Sequence, residues 1–149
     1  FSSWILNKDI IYVGGGNTSF MLDIWRKNSL DKIFKRAYEN GIVLAGVSAG
    51  AGCWFDWILS DSVGPGLKPL KGISLISGSC TPHSSEKKRI NQFELNIKNA
   101  ELPPGLAIDD GVAVLFIDEK PSEVYSSRKN HKAYFIDTNK KISLEEYIK

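Results

Sequence analysis

Ser48 lies in Gly46-Val47-Ser48-Ala49-Gly50, directly after the apolar run Ile42-Val43-Leu44-Ala45. An apolar strand entering Gly-x-Ser-x-Gly before a helix is the setting of a nucleophile elbow, where a serine hydroxyl stands on a tight strand-to-helix turn. Glycines suit that turn because strand and helix backbones meet there with no room for side chains. Unpaired N–H groups at the start of the helix are then available to stabilise an oxyanion. The chemistry implied is acyl transfer. A small-residue turn that merely packs a helix on a sheet would use the same residues.

A serine nucleophile needs a base to take its proton and an acid to orient that base. The chain has two histidines. His83 ends the loop Gly78-Ser79-Cys80-Thr81-Pro82-His83 after an expected core strand, on the edge where Ser48 should lie. His131 sits in the polar turn Arg128-Lys129-Asn130-His131-Lys132. Placement therefore favours His83 as the base. For the acid, Asp110 in Ile108-Asp109-Asp110-Gly111 would reach the same edge, with Asp109 pointing the opposite way. Asp61, after the Ser48 helix, competes with it, whereas Glu86 is better placed to cap a helix. The order Ser…His…Asp differs from the Ser…Asp…His of α/β-hydrolases, but geometry rather than order defines a triad.

Gly14-Gly15-Gly16-Asn17 offers flexible backbone at the end of another strand. A dinucleotide fingerprint fails there because Ser19 holds the third glycine position. The better reading pairs an N–H of Gly15 or Gly16 with that of Ala49 as an oxyanion hole. Cys80-x-x-His83 has no second cluster of ligands, so neither a metal nor a cofactor is expected. Cys53 reads as a small buried residue.

The elements that must position these groups follow from periodicity. Residues 9–13 form a buried-strand pattern, and Asn17 or Thr18 caps a helix carrying Phe20, Met21, Ile24 and Trp25. Leu30, Ile33, Phe34 and Ala37 continue the helical spacing, and residues 42–45 make the next strand, giving a right-handed strand–helix–strand unit. A helix is expected from Ser48 to about residue 59, a strand within 70–76, a polar helix over 84–99, and strands at 106–108 and 112–117. Residues 124–125 and 133–136 read as a terminal hairpin, and 141–149 as a weak tail helix. The expected architecture is a three-layer α/β fold with a mostly parallel sheet, helices on both faces and antiparallel strands near the carboxyl end. The first visible strand already carries a site-like loop, so a preceding strand–helix segment is expected to be missing.

The 149 residues suit a single domain over 1–149. A net charge of +2, with 42% hydrophobic and 24% charged residues, points away from nucleic acid. No apolar run is long enough to span a membrane. Two cysteines and no visible leader suggest a cytoplasmic setting.

Taken together, Tyr12-Val13-Gly14-Gly15-Gly16-Asn17-Thr18-Ser19-Phe20-Met21-Leu22, Gly46-Val47-Ser48-Ala49-Gly50-Ala51, Pro82-His83 and Ile108-Asp109-Asp110-Gly111 resemble the peptidase E (aspartyl dipeptidase) family. Cyanophycinases are relatives, and the likeness covers roughly residues 9–117. The resemblance implies a class I glutamine amidotransferase-like fold, with an amino-terminal strand–helix segment that is absent here. It implies a Ser48 nucleophile, a His83 base and an oxyanion hole from Gly15 or Gly16 with Ala49. The family's acid matches either Asp61 or Asp110, the latter one methylene shorter than the family's glutamate. Arg89 is the nearest match to a basic residue that holds an aspartyl substrate, and Asn17 is a further candidate substrate contact. The expected activity is cofactor-free hydrolysis of short peptides, including dipeptides with N-terminal Asp, by a protein whose assembly could be a homodimer. An esterase or amidase on the same elbow and a non-catalytic ligand-binding module are the rivals.

Overall fold

The computed structural model describes residues 1–149 and has an α/β architecture with mixed strand pairing. A short helix α1 (Ser2–Ile5) leads into β1 (Ile10–Val13), then α2 (Thr18–Lys27), α3 (Leu30–Glu39) and β2 (Val43–Gly46). Strands β1 and β2 pair in parallel, Val13 opposite Gly46. The Asn17 side chain accepts from the Phe20 N–H at 2.9 Å and caps α2, while Leu22 and Trp25 turn inward.

Beyond Ser48 the expectation of a long helix fails. Helix α4 spans only Ala49–Gly52, and Phe55–Ser60 is strand β3. Five small residues, Ala49 to Cys53, follow Ser48 before a run rich in aromatic and β-branched residues, Trp54-Phe55-Asp56-Trp57-Ile58, and that run favours a strand. Strand β4 (Lys68–Lys71) folds back on β3, and β5 (Ile76–Pro82) lies parallel to β3 on its other side. Most of the segment expected as the loop before His83 is thus a strand. Its Ser79, Cys80 and Thr81 are buried between β3 and β6 (Gly105–Ile108), where only small side chains fit; a Cβ on Gly105 would sit 2.0 Å from the Ser79 carbonyl oxygen.

Helix α5 (Lys87–Lys98) connects β5 to β6. The carboxyl-terminal part also departs from expectation. Strand β7 (Val112–Ile117) pairs with β8 (Lys120–Ser126) as its own hairpin, and β9 (Ala133–Ile136) adds antiparallel to β6. Strand β9 leaves β8 because Ala133 and Ile136 are buried on the main sheet, while β8 is largely exposed. The tail is strand β10 (Lys141–Ser143) followed by one turn, α6 (Leu144–Tyr147). The main sheet runs β10-β9-β6-β5-β3-β4 and is mixed, not mostly parallel.

Alternation along the strands divides the core between faces. On β6, Ala107 joins Phe93, Ile97, Leu59 and Ile136 beneath α5, while Leu106 joins Phe55, Cys80 and Leu144 beneath the β7–β8 hairpin. One face of the main sheet is therefore covered by a helix and the other by a hairpin with α6. A third cluster holds α2 and α3 against the segment after Ser48, with Trp25 and Phe34 ring centroids 4.5 Å apart and Trp54 closing the triangle. No helix is long and apolar enough to cross a membrane.

The β2–α4 turn is as tight as its glycines suggest. A Cβ on Gly50 would lie 2.1 Å from the Val13 carbonyl oxygen, and one on Gly46 would lie 2.0 Å from the Gly50 carbonyl oxygen. Both neighbours are backbone, so no rotamer change relieves the clash. Gly50→Ala is expected to destabilise by at least about 2 kcal/mol, read as a lowered urea midpoint with an unchanged slope.

Candidate active site

Three chain segments meet at the carboxyl ends of β2, β5 and β6. Ser48 follows β2, His83 follows β5, and Asp110 follows β6. The parallel register of β5 and β6 places Pro82 opposite Ile108, so the residues just beyond each strand emerge side by side. Such carboxyl edges are where open α/β sheets bind ligands.

Ser48 has φ 56° and ψ −114°, a conformation that costs a non-glycine residue about 1–3 kcal/mol. The turn holds it there through N–H bonds from Ala51 and Gly52 to the Ser48 carbonyl, and from Gly50 to that of Val47. Its side chain, unlike that of an ordinary N-cap serine, makes no cap bond and points away from the helix. Instead Ser48 Oγ lies 2.9 Å from His83 Nε2, and His83 Nδ1 lies 2.6 Å from Asp110 Oδ1.

The protonation pattern follows from these contacts. Hydrogen bonds from Ser85 and then His83, helped by the charge of Arg128, hold the Asp110 carboxyl below its ordinary value against a smaller opposing effect of burial. An ionised carboxylate only accepts, so His83 donates Nδ1–H to Asp110. The lone pair on Nε2 is left to accept from the Ser48 hydroxyl.

Of the rival acids, Asp109 turns the other way, accepting from Ser84 Oγ and from the Lys132 backbone N–H. Asp61 follows β3 and faces Arg89, whose Nη2 lies 3.4 Å from Asp61 Oδ2. Asp61 makes no bond to His83. Glu86 occupies the cap position of α5 but its side chain makes no cap bond; its Oε2 lies 3.6 Å from Arg89 Nε.

The N–H groups of Gly15, Gly16 and Ala49 donate to no acceptor in the protein. Gly15 lies against Ser48, since a Cβ there would stand 3.2 Å from the Ser48 Cβ. Beside Ser48 opens a cleft of about 290 Å³ whose walls include Gly16, Ala49, Asp61, His83, Glu86 and Arg89. Arg89 is nearly buried in its wall, donates to the Leu59 carbonyl, and leaves Nε without a hydrogen-bond partner. Asn17 is taken up by its helix cap and lies outside these walls. Cys53 and Cys80 are buried, and burial raises both thiols well above their usual values, so neither is poised as a nucleophile. His131 stays in the turn after β8, bonded through its backbone to Arg128.

Sequence reasoning missed Ser85, whose Oγ donates to Asp110 Oδ2 at 2.5 Å. The visible signal was a serine doublet directly after His83 in a chain that also has an aspartate doublet at Asp109 and Asp110.

The family model for peptidase family S51 matches residues 2–124. The chain is 44% identical over 133 residues to an uncharacterized peptidase, YgaJ, of Bacillus subtilis (strain 168). That alignment covers 89% of this chain and 57% of the relative, so the chain spans little more than half the relative's length.

Proposed function

This chain belongs to peptidase family S51, and from that premise we propose that it is a serine peptidase hydrolysing short peptides through Ser48, His83 and Asp110. The single observation that carries the reading is the unbroken relay from Ser48 Oγ through both nitrogens of His83 to Asp110. Ser48 Oγ attacks the scissile carbonyl carbon as its proton passes to His83 Nε2. The carbonyl oxygen, now anionic, accepts from the Ala49 N–H and from Gly15 or Gly16. The imidazolium is stabilised by Asp110 and returns the proton to the leaving amine as the C–N bond breaks, leaving an acyl group on Ser48. Water, deprotonated by the same imidazole, then releases the acid and restores the hydroxyl.

We further infer the layering of a class I glutamine amidotransferase-like domain over residues 1–149, a nucleophile elbow at Ser48, and Arg89 as the contact for an acidic substrate group. Support for the last is the position of the Arg89 cation in the cleft wall beside Ser48 and His83. A non-catalytic ligand-binding module would leave Ser48 and His83 apart, and their 2.9 Å contact favours the peptidase instead.

A panel of dipeptides with N-terminal Asp, Glu, Leu or Lys, together with simple esters, tests the reading. Hydrolysis of peptides with preference for N-terminal Asp is expected. Turnover of esters alone would replace it with the esterase on the same elbow.

A further inference from the structure

Two loops at the candidate site are laced together by adjacent pairs of residues. Ser84 and Ser85 follow His83, and Asp109 and Asp110 follow β6. The Ser84 N–H donates to the Ile108 carbonyl at 3.0 Å, continuing the β5–β6 ladder past its last paired residues. Each serine then takes one aspartate. Ser84 Oγ donates to Asp109 Oδ1 at 2.7 Å, and Ser85 Oγ donates to Asp110 Oδ2 at 2.5 Å.

The second bond has a consequence for His83. Asp110 Oδ1 receives His83 Nδ1–H, so Ser85 occupies the oxygen that His83 does not use. Rotation about the Asp110 Cβ–Cγ bond is intrinsically soft, because that torsion has no sharp minima. The carboxylate is also about one-third exposed (32%), which gives water access to it.

We propose that Ser85 is a positioning residue for Asp110: its hydroxyl locks the carboxylate rotation so that Oδ1 stays on His83 Nδ1. Ser85 does not line the cleft, and its hydroxyl donates to Asp110, so its effect on the reaction passes through Asp110. The effect on rate rests on the peptidase reading, whereas the effect on the imidazole does not.

The test compares Ser85→Ala, Ser85→Thr and Ser84→Ala with the wild-type protein. Ser48 reactivity is read as the labelling rate with a fluorophosphonate, and His83 as the ¹H NMR resonance of its Nδ1–H. Ser85→Ala should label roughly 10-fold more slowly, with kcat reduced and KM unchanged on any peptide the wild type cleaves. Its Nδ1–H resonance should shift or broaden, and Ser85→Thr, which keeps the hydroxyl, should restore rate and resonance together. Ser84→Ala loses a hydrogen bond of the same kind one residue away and should leave both readouts near wild type. Wild-type labelling and resonance in Ser85→Ala overturn the proposal. So does equal slowing in Ser84→Ala, which marks general loosening of the loops. A wild-type protein that is never labelled at Ser48 refutes the peptidase reading, and the resonance still decides the role of Ser85.

Discussion

Ser48→Ala is expected to abolish peptide hydrolysis and fluorophosphonate labelling while the protein keeps its fold. The expected loss in kcat is about five to six orders of magnitude, the size seen when a serine nucleophile is removed from a triad. Folding should survive because the only side-chain hydrogen bond of Ser48 goes to His83, and the turn itself is built from backbone bonds. Alanine suffers the same φ of 56° as serine and loses no cap, since Ser48 makes none. His83→Ala should cost nearly as much, and the double variant little more, because residues that act as one unit are not additive. Circular dichroism and a urea midpoint check the fold, and stopped peptide assays check the rate. Hydrolysis at the wild-type rate in Ser48→Ala would remove this residue from the mechanism.

Asp110→Asn is expected to lower kcat by about four orders of magnitude, whereas Asp61→Asn should act mainly on KM. The first substitution keeps the shape but offers an amide to His83, which can flip the imidazole so that Nε2 carries the hydrogen and no longer accepts from Ser48. Asp61 meets Arg89 and not His83, so its loss frees a guanidinium in the cleft wall and changes how substrate is held. The reverse ranking would assign the acid to Asp61. The same carboxylate gives a stability signature. Its folded pKa lies below the unfolded one, so its contribution is complete above the ordinary carboxylate value of about 4 and is lost as pH falls through the lowered folded value. Urea midpoints from pH 7 down to pH 2 should therefore fall more steeply for the wild type than for Asp110→Asn. The difference will be small, because the carboxylate is one-third exposed.

The residues that meet at the site were legible because each was constrained by something written locally. Glycines at 46 and 50 mark a close backbone approach, and one of only two histidines follows a proline at a strand end. Period-two alternation separated Asp110 from Asp109 correctly in direction. The strands around them were harder to read. Trp54, Trp57 and Ile58 fall at spacings that a helix also allows, and three-dimensional pairing with β4 and β5 decides for strand. Ser79-Cys80-Thr81 is small and polar like a loop, yet it is buried because neighbouring strands press from both sides. The Ser85–Asp110 bond joins residues 25 apart, so no local pattern records it. Nor does any local pattern record that Arg89 meets Asp61, 28 residues away.

Ser48 and the His83–Asp110 pair are mounted on separate hydrogen-bonded platforms. Ser48 rides on the two-stranded β1–β2 unit, while His83 and Asp110 ride on the six-stranded sheet. The imidazole and carboxylate thus belong to one sheet, and the alcohol meets them from another. Damage on the small platform, even far from Ser48, would misalign attack without disturbing the partnership of base and acid. Mutational tolerance should therefore be lopsided, with the smaller platform the less forgiving of the two.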